Sequence, residues 1–350
     1  MSSRLPFPYH WVPGVWRVWL AKRLFRPHVR GVRSQPNRSP RTYADGEVDR
    51  ILDDGFSTAD QEGWSWPDKK SCALILSHDT DSVGQERGIE LLCQLAKRKG
   101  LRSCFSFVGK DLQSYRPLIR DLVKEGFEVA LHDIAHDNLI AFLSEDEIIA
   151  RLRPVMDLAR ELGMKGFRSP SWYVSPAFWA ALEKTGFSYD MSALDSWPFF
   201  HPSQNYGVRT FRPFMVGGLV VLPNTIPFEM PWLADIPLSQ TFPFWRPKLD
   251  LICQEGGLVM FNAHPDQWYC GNSKAVAELE RCLDHVLETH HPATLMPHQL
   301  SQYVRETFGR GACVDLGGAP PVRAPRCSEK PSRKMGNGAN PFIQLGDERR

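Results

Sequence analysis

Between residues 71 and 308 the apolar positions fall into two alternating rhythms. Residues 72–76 (C-A-L-I-L) form a short continuous apolar run, the mark of a strand buried on both faces. Residues 85–99 then place Ile89, Leu92, Leu95 and Ala96 at helical spacing. Residues 103–108 read as strand, 117–125 as a helix stopped by Gly126, and 127–131 as strand again. Ser144, with Glu147 three residues on, is a capping box that opens a helix to about Leu162. A short strand over 166–168 precedes a helix started by Ser175-Pro176 and ended at Gly186. Strands over 187–191, 219–222 and 258–262, a helix over 273–288, a strand over 293–295 and a helix over 298–307 complete the series.

Repeated strand–helix alternation means parallel strands joined by crossover helices, in a barrel or an open doubly wound sheet. No G-x-G-x-x-G follows the first strand and no G-x-x-x-x-G-K-[ST] occurs, which removes the strongest cues for nucleotide sites. The polar residues select the barrel. Asp79 and Asp81, His132 and His136, Arg168, Asp190 and His264 each fall at or just past the carboxyl end of a predicted strand. A barrel brings those ends to one mouth. The expected fold is therefore α/β, a distorted (β/α) barrel of about seven parallel strands.

Composition divides the chain further. Residues 1–70 are an Arg-, Trp- and Pro-rich extension without a strand pattern, 71–308 form the barrel, and 309–350 read as a disordered tail rich in Gly, Pro, Ser and Arg. In the extension, Trp16, Trp19, Leu20, Leu24 and Phe25 share one helical face, with Arg17, Lys22 and Arg23 elsewhere. Such a helix could lie on an anionic membrane surface or pack across the closed end of the barrel. A net charge of +2 gives no strong field and no argument for nucleic acid as a partner. No apolar run approaches the roughly 20 residues that span a bilayer, and the basic residues near the N-terminus interrupt any secretory core. Eight cysteines without a C-x-x-C pair read as reduced thiols. The expected location is cytoplasmic, with peripheral contact at the inner face of the membrane if the extension binds lipid.

Two imidazoles and a carboxylate suit a divalent metal such as Zn²⁺ whose remaining position stays open for water. His132 and His136, four apart, would share a face if the segment turns helical after its strand. Asp81 could complete the set while Asp79 stays free as base, with His78 a rival for either task. Arg168, in F-R-S-P-S-W, could fix Asp79 through a bidentate pair, and Pro170 and Trp172 would stiffen its loop. His264, in F-N-A-H-P, suits proton donation to a leaving amine, with Asp190 or Asp195 to hold it protonated.

The set resembles the polysaccharide deacetylases of the NodB-homology type, carbohydrate esterase family 4. That family carries five ordered motifs, here H-D-T-D (78–81), H-D-I-A-H (132–136), R-S-P-S-W (168–172), D-M-S-A-L-D-S-W (190–197) and N-A-H-P (262–265). The resemblance implies a distorted barrel with one divalent ion, usually zinc, held by Asp81, His132 and His136. It implies Asp79 as the base, Arg168 as its orienter, and His264 as the acid supported by Asp190 or Asp195. The implied partner is an N-acylated carbohydrate substrate, and the implied activity is removal of its acetyl or formyl group. A hydrolase of a non-sugar amide and a catalytically silent carbohydrate-binding relative are the alternatives.

Three positions depart from the pattern. Thr80 separates two Asp residues that are usually adjacent. Asp133 stands where Ser or Thr is usual, which is expected to alter the surroundings of the metal. The fourth motif is stretched, so Asp190 and Asp195 compete for one role. The aromatic, Pro-rich stretch 199–245 is either a packed insertion or a lining for the substrate cleft.

Overall fold

The computed structural model describes residues 65–195, 208, 210–233, 236–308 and 313–314. The predicted N-terminal helix, the tail beyond 314 and Trp197 lie outside these residues. The strands are β1 (Ala73–Thr80), β2 (Cys104–Phe107), β3 (Glu128–Leu131), β4 (Gly166–Phe167), β5 (Tyr189–Asp190), β6 (Phe214–Val216), β7 (Leu219–Val221), β8 (Ile226–Pro227), β9 (Leu258–Ala263), β10 (Ala293–Thr294) and β11 (Cys313–Val314). The main helices are α1 (Glu86–Arg98), α2 (Leu112–Lys124), α3 (Glu145–Glu161), α4 (Pro176–Thr185), α5 (Thr241–Gln254), α6 (Ser273–His290) and α7 (Pro297–Phe308).

All strand pairs are parallel except the β6–β7 hairpin. The order β7-β5-β4-β3-β2-β1-β9-β8 curls back on itself, because β7 and β8 are successive parts of one bent segment. Its first half pairs with β5 and its second with β9. Isolated bridging at Leu194–Asn224 ties the bend to the chain beyond β5. The result is the expected distorted barrel.

Side-chain parity builds two cores. Ala73, Ile75, Cys104, Ala130, Tyr189 and Met260 point inward and fill the barrel. Their neighbours Leu74, Leu76, Phe105, Val129 and Phe261 point outward against the helices. Gly166 faces inward opposite Tyr189, and a Cβ there would sit 1.9 Å from the tyrosine ring. Glycine is what lets that ring fill the barrel.

Several elements differ from the sequence reading: β6 and β8 were not expected, and β11 lies within the stretch 309–350 read as tail, paired with β6. β1 runs on to Thr80, because Ser77 and Asp79 keep the inward parity and the segment pairs with both β2 and β9. α2 starts at Leu112 and carries Pro117 inside it; burial of Leu112, Tyr115, Ile119 and Leu122 outweighs the missing N–H. α5 is absent from the sequence reading, which took the stretch 199–245 as a packed insertion or a cleft lining. It forms because Trp245, Leu249, Ile252 and Cys253 give it a buried face.

Candidate functional site

The inward face of the barrel turns polar at its carboxyl end. Ser77 and Asp79 share one parity on β1 and Met260 and Asn262 one parity on β9, Asp81 and His264 directly follow those two strands in the same alternation, and His132 and Arg168 directly follow β3 and β4. Close packing joins the first and last of these segments: a Cβ on Gly88 of α1 would lie 1.8 Å from the Pro265 carbonyl oxygen. The residues converge on a cleft lined by Asp79, Asp81, His132, His136, Glu229 and His264. Its apolar wall includes Trp172, Met230, Leu233 and Tyr269.

Asp81 Oδ1 lies 3.4 Å from His132 Nε2 and 3.3 Å from His136 Nε2. Both distances exceed an ordinary N–H···O hydrogen bond. They match the edge, about 3.3–3.4 Å, of a tetrahedron whose ligand bonds are 2.0–2.1 Å long. His132 Nδ1 donates to the Arg168 carbonyl oxygen at 2.9 Å, which directs the Nε2 lone pair at Asp81. Asp81 Oδ1 accepts no hydrogen bond although it is buried. The two spacings from Asp81, the tautomer of His132 and the donor chemistry of the three groups therefore fit a zinc-type ion. Burial raises the Asp81 pKa, but His136 and His264 outweigh it and hold the carboxyl well below its usual range.

The loop holding His136 is not helical. His136 has φ 54°, a left-handed conformation, and the segment between β3 and the turn Ile140–Phe142 contains no helix. The two rings meet at 4.9 Å because the loop bends, not because a helical face aligns them.

Asp79 Oδ2 accepts from Asn262 Nδ2 at 2.8 Å, and Oδ1 accepts no hydrogen bond. Arg168 is fully buried, with Nε 3.6 Å from Asp79 Oδ1. Its Nη2 donates to Ser77 Oγ at 2.9 Å. With the Asn224 amide turned to satisfy its neighbours, Asn224 Oδ1 accepts from Arg168 Nη1 and Trp172 Nε1, each at 3.0 Å. The expected bidentate Arg168–Asp79 pair is thus absent. Arg168 acts on Asp79 by charge, and Asn262 supplies the orienting bond. Burial opposes the charge on Asp79, but Arg168 and His132 keep its pKa below the ordinary value.

His264 Nδ1 lies 3.3 Å from Glu229 Oε2, and its backbone N–H donates to Glu229 Oε1 at 2.7 Å. Burial disfavours the imidazolium, but Glu229, Asp81 and Asp79 together push the pKa up to about 10. Glu229, which the sequence did not single out, holds the place beside His264 expected of Asp190 or Asp195. Asp190 has the outward parity: Trp179 Nε1 of α4 donates to it at 3.0 Å, and Ser192 binds its other oxygen. Burial pushes its pKa up to about 6, against those hydrogen bonds. Asp195 pairs with Lys248 Nζ of α5 at 2.6 Å, both side chains buried. Breaking that pair with Asp195→Ala is expected to cost about 3–5 kcal/mol of stability, read as a lower thermal midpoint with an unchanged metal content.

His78 has the outward parity too. Its ring stacks 4.6 Å from Phe105, burial pushes its pKa down to about 3, and it does not line the cleft. Asp133 does not line the cleft and pairs with Arg151 of α3. Of the Pro-rich stretch, Pro227, Glu229, Met230 and Leu233 line the cleft, whereas Phe214 and Trp245 are core. Among the described residues, Asp250, His285 and His290 form a second cluster of metal-binding types. There both imidazoles reach Asp250 Oδ1 at hydrogen-bond distance, 2.7 and 2.8 Å, pinning α6 to α5.

No protein-family model matches the chain. A peptidoglycan deacetylase of Helicobacter pylori (strain ATCC 700392 / 26695) is 30% identical over 120 residues, 33% of this chain and 41% of that relative. The matched region thus spans less than half the length of that curated protein. A structure from Mycobacterium smegmatis described as a polysaccharide deacetylase superposes with a TM-score of 0.58 at 19% identity, covering 77% of this chain and 97% of the other. Another so described, from Pseudomonas aeruginosa PAO1, gives 0.56 at 16%, covering 70% and 94%. Puue allantoinase gives 0.56 at 14%, covering 70% and 93%. No helix among the described residues is long and apolar enough to cross a membrane.

Proposed function

We propose that residues 71–308 form a metal-dependent hydrolase that removes an N-acyl group from an amino sugar or glycoconjugate; the chain shares its fold with solved polysaccharide deacetylases, and its motif order resembles that of carbohydrate esterase family 4. One observation carries the reading: Asp81 Oδ1 lies at tetrahedral-edge distance from both His132 Nε2 and His136 Nε2, beside Asp79 Oδ1, a buried carboxylate oxygen that accepts no hydrogen bond.

Asp81, His132 and His136 would hold the ion, and two imidazoles with one carboxylate favour Zn²⁺. When bound, the ion would acidify a water and polarise the acyl oxygen. Asp79 Oδ1 takes the proton as the water oxygen bonds to the acyl carbon. Arg168 and Asn262 keep that carboxylate ionised and aimed before the reaction starts. His264 gives its proton to the departing nitrogen as the C–N bond breaks, releasing a free amine and a carboxylic acid. The walls formed by Trp172, Met230 and Leu233 limit the water that would screen these charges.

Glu229 sets the working range of the acid. His264 is competent while protonated, so activity that depends on it is present below its pKa and lost above. Glu229→Gln removes a charge that raises this pKa and should move the alkaline limb of the pH–rate profile down by about one pH unit or more. An ion at Asp81 lowers the limb in both proteins, so their difference isolates Glu229. An unmoved limb would rule the pairing out.

The fold is shared with an allantoinase as well as with deacetylases, so the scissile bond is tested directly. Zinc-loaded protein is incubated with N-acetyl and N-formyl amino sugars, their oligomers, and linear and cyclic non-sugar amides. Amine release from the sugars alone supports the proposal; release only from the other amides replaces it. Sugar binding without amine release on any substrate would indicate a silent relative, against the presence of both Asp79 and His264.

A further inference from the structure

Each histidine proposed as a ligand is followed by an aspartate: H-D at 132–133 and again at 136–137. The two aspartates meet on one guanidinium. Arg151 Nε donates to Asp133 Oδ1 at 3.0 Å and Nη2 to Asp133 Oδ2 at 2.7 Å. The same group reaches Asp137, with Nη1 to Oδ2 at 3.1 Å and Nη2 to Oδ1 at 2.8 Å. Asp133 is fully buried and Asp137 lies at the solvent edge. Arg151 projects from α3, whose start is fixed by reciprocal bonds between Ser144 and Glu147.

The loop between these anchors has much to be held against. Asp133, His136 and Asn138 have φ of 56°, 54° and 64°. Asp and Asn tolerate the left-handed region, but histidine there needs surroundings that over-determine it. On one side the backbone is pinned, by Gly109 N–H to the Asp133 carbonyl at 2.7 Å and Lys110 N–H to the Ile134 carbonyl at 2.9 Å. Those bonds reach only the first half of the loop. Beyond Ile134, Ser171 Oγ donates to Asn138 Oδ1 at 3.1 Å, and the Arg151 fork ties Asp137, next to His136, back to Asp133, next to His132.

We propose that Arg151 is a positioning residue of the metal centre: by gripping the carboxylate after each histidine, it fixes the spacing of the two imidazoles before the ion arrives. This rests on the metal-site reading above. It also accounts for Asp133, which stands where the resembled pattern has Ser or Thr: the carboxylate serves the fork, not the ion. A fork with two parallel N–H groups is what arginine offers and lysine does not.

The test is Zn²⁺ affinity by chelator competition on wild type, Arg151→Lys and Asp137→Asn. Thermal midpoints of the zinc-free proteins and kcat and KM at saturating Zn²⁺ are measured alongside. Arg151→Lys should bind Zn²⁺ about 10–100-fold more weakly, the range for losing a residue that orients a ligand. Excess Zn²⁺ should restore kcat while KM stays near wild type. Asp137→Asn, which removes only the outer half of the grip, should weaken binding less and serves if the lysine variant does not fold. Affinity within about twofold of wild type in the folded variants, or a lower thermal midpoint with unchanged affinity, would make Arg151 a structural residue only and overturn the proposal. Wild type that binds no Zn²⁺ would sink the metal reading and this one with it, whereas wild-type binding left intact by the variants sinks only this one.

Discussion

Asp79→Asn is expected to lower kcat by about two to four orders of magnitude, the usual worth of a positioned general base, while bound zinc stays near one per chain. The substitution keeps the shape and removes the proton acceptor. Its Oδ1 is the only Asp79 oxygen without a hydrogen bond, since Oδ2 is taken by Asn262. The neutral amide also leaves Arg168 buried without its nearby charge, so some loss of stability accompanies the loss of rate. The measurement is kcat with metal content on the same preparation. Unchanged turnover with full metal would show that another group accepts the proton. The outward parity of His78 makes it a poor substitute.

His132→Ala is the second large effect and differs in kind. His132 is fixed from behind by the Arg168 carbonyl oxygen, which accepts from its Nδ1 and leaves Nε2 toward Asp81. Without it only Asp81 and the strained His136 remain, and metal and activity should fall together by about three orders of magnitude or more, as expected when a Lewis acid worth several kcal/mol is lost. Metal analysis and the free-amine assay read both. Metal-replete, active His132→Ala protein would refute the site. The pair of variants separates the roles: the Asp79 variant keeps the ion and loses turnover, and the His132 variant loses both.

The residues that the sequence did not single out are instructive. Glu229 follows a strand of two residues in P-F-E-M-P, too short to mark a strand end. Its signal is a lone carboxylate in an apolar, Pro-rich stretch, which burial makes costly without a partner. Asn262 was part of the last motif, but its task shows only where β9 lies beside β1, in the register Ser77 to Asn262. Arg151 looks like one more charge on an amphipathic helix. Nothing along the chain reports that it folds back onto residues 14 and 18 positions earlier.

Local patterning determined a good deal by itself. Apolar runs and helical spacing fixed the alternation of strands and helices, and the polar ends of those strands marked Asp79, Asp81, His132, Arg168 and His264, because a strand buried on both faces turns polar only where it leaves the core. The period of two also separates Asp190 from this group once inward is defined, since it alternates with Tyr189 inside the barrel. Which parity is inward, however, is a property of neighbouring strands and not of one strand. The tertiary structure alone decided that, along with the partner of His264, the bond that aims Asp79 and the grip of Arg151 on both aspartates. Each of these joins groups far apart in the chain, and hydrogen bonds and ion pairs of that kind leave no periodic trace in a sequence.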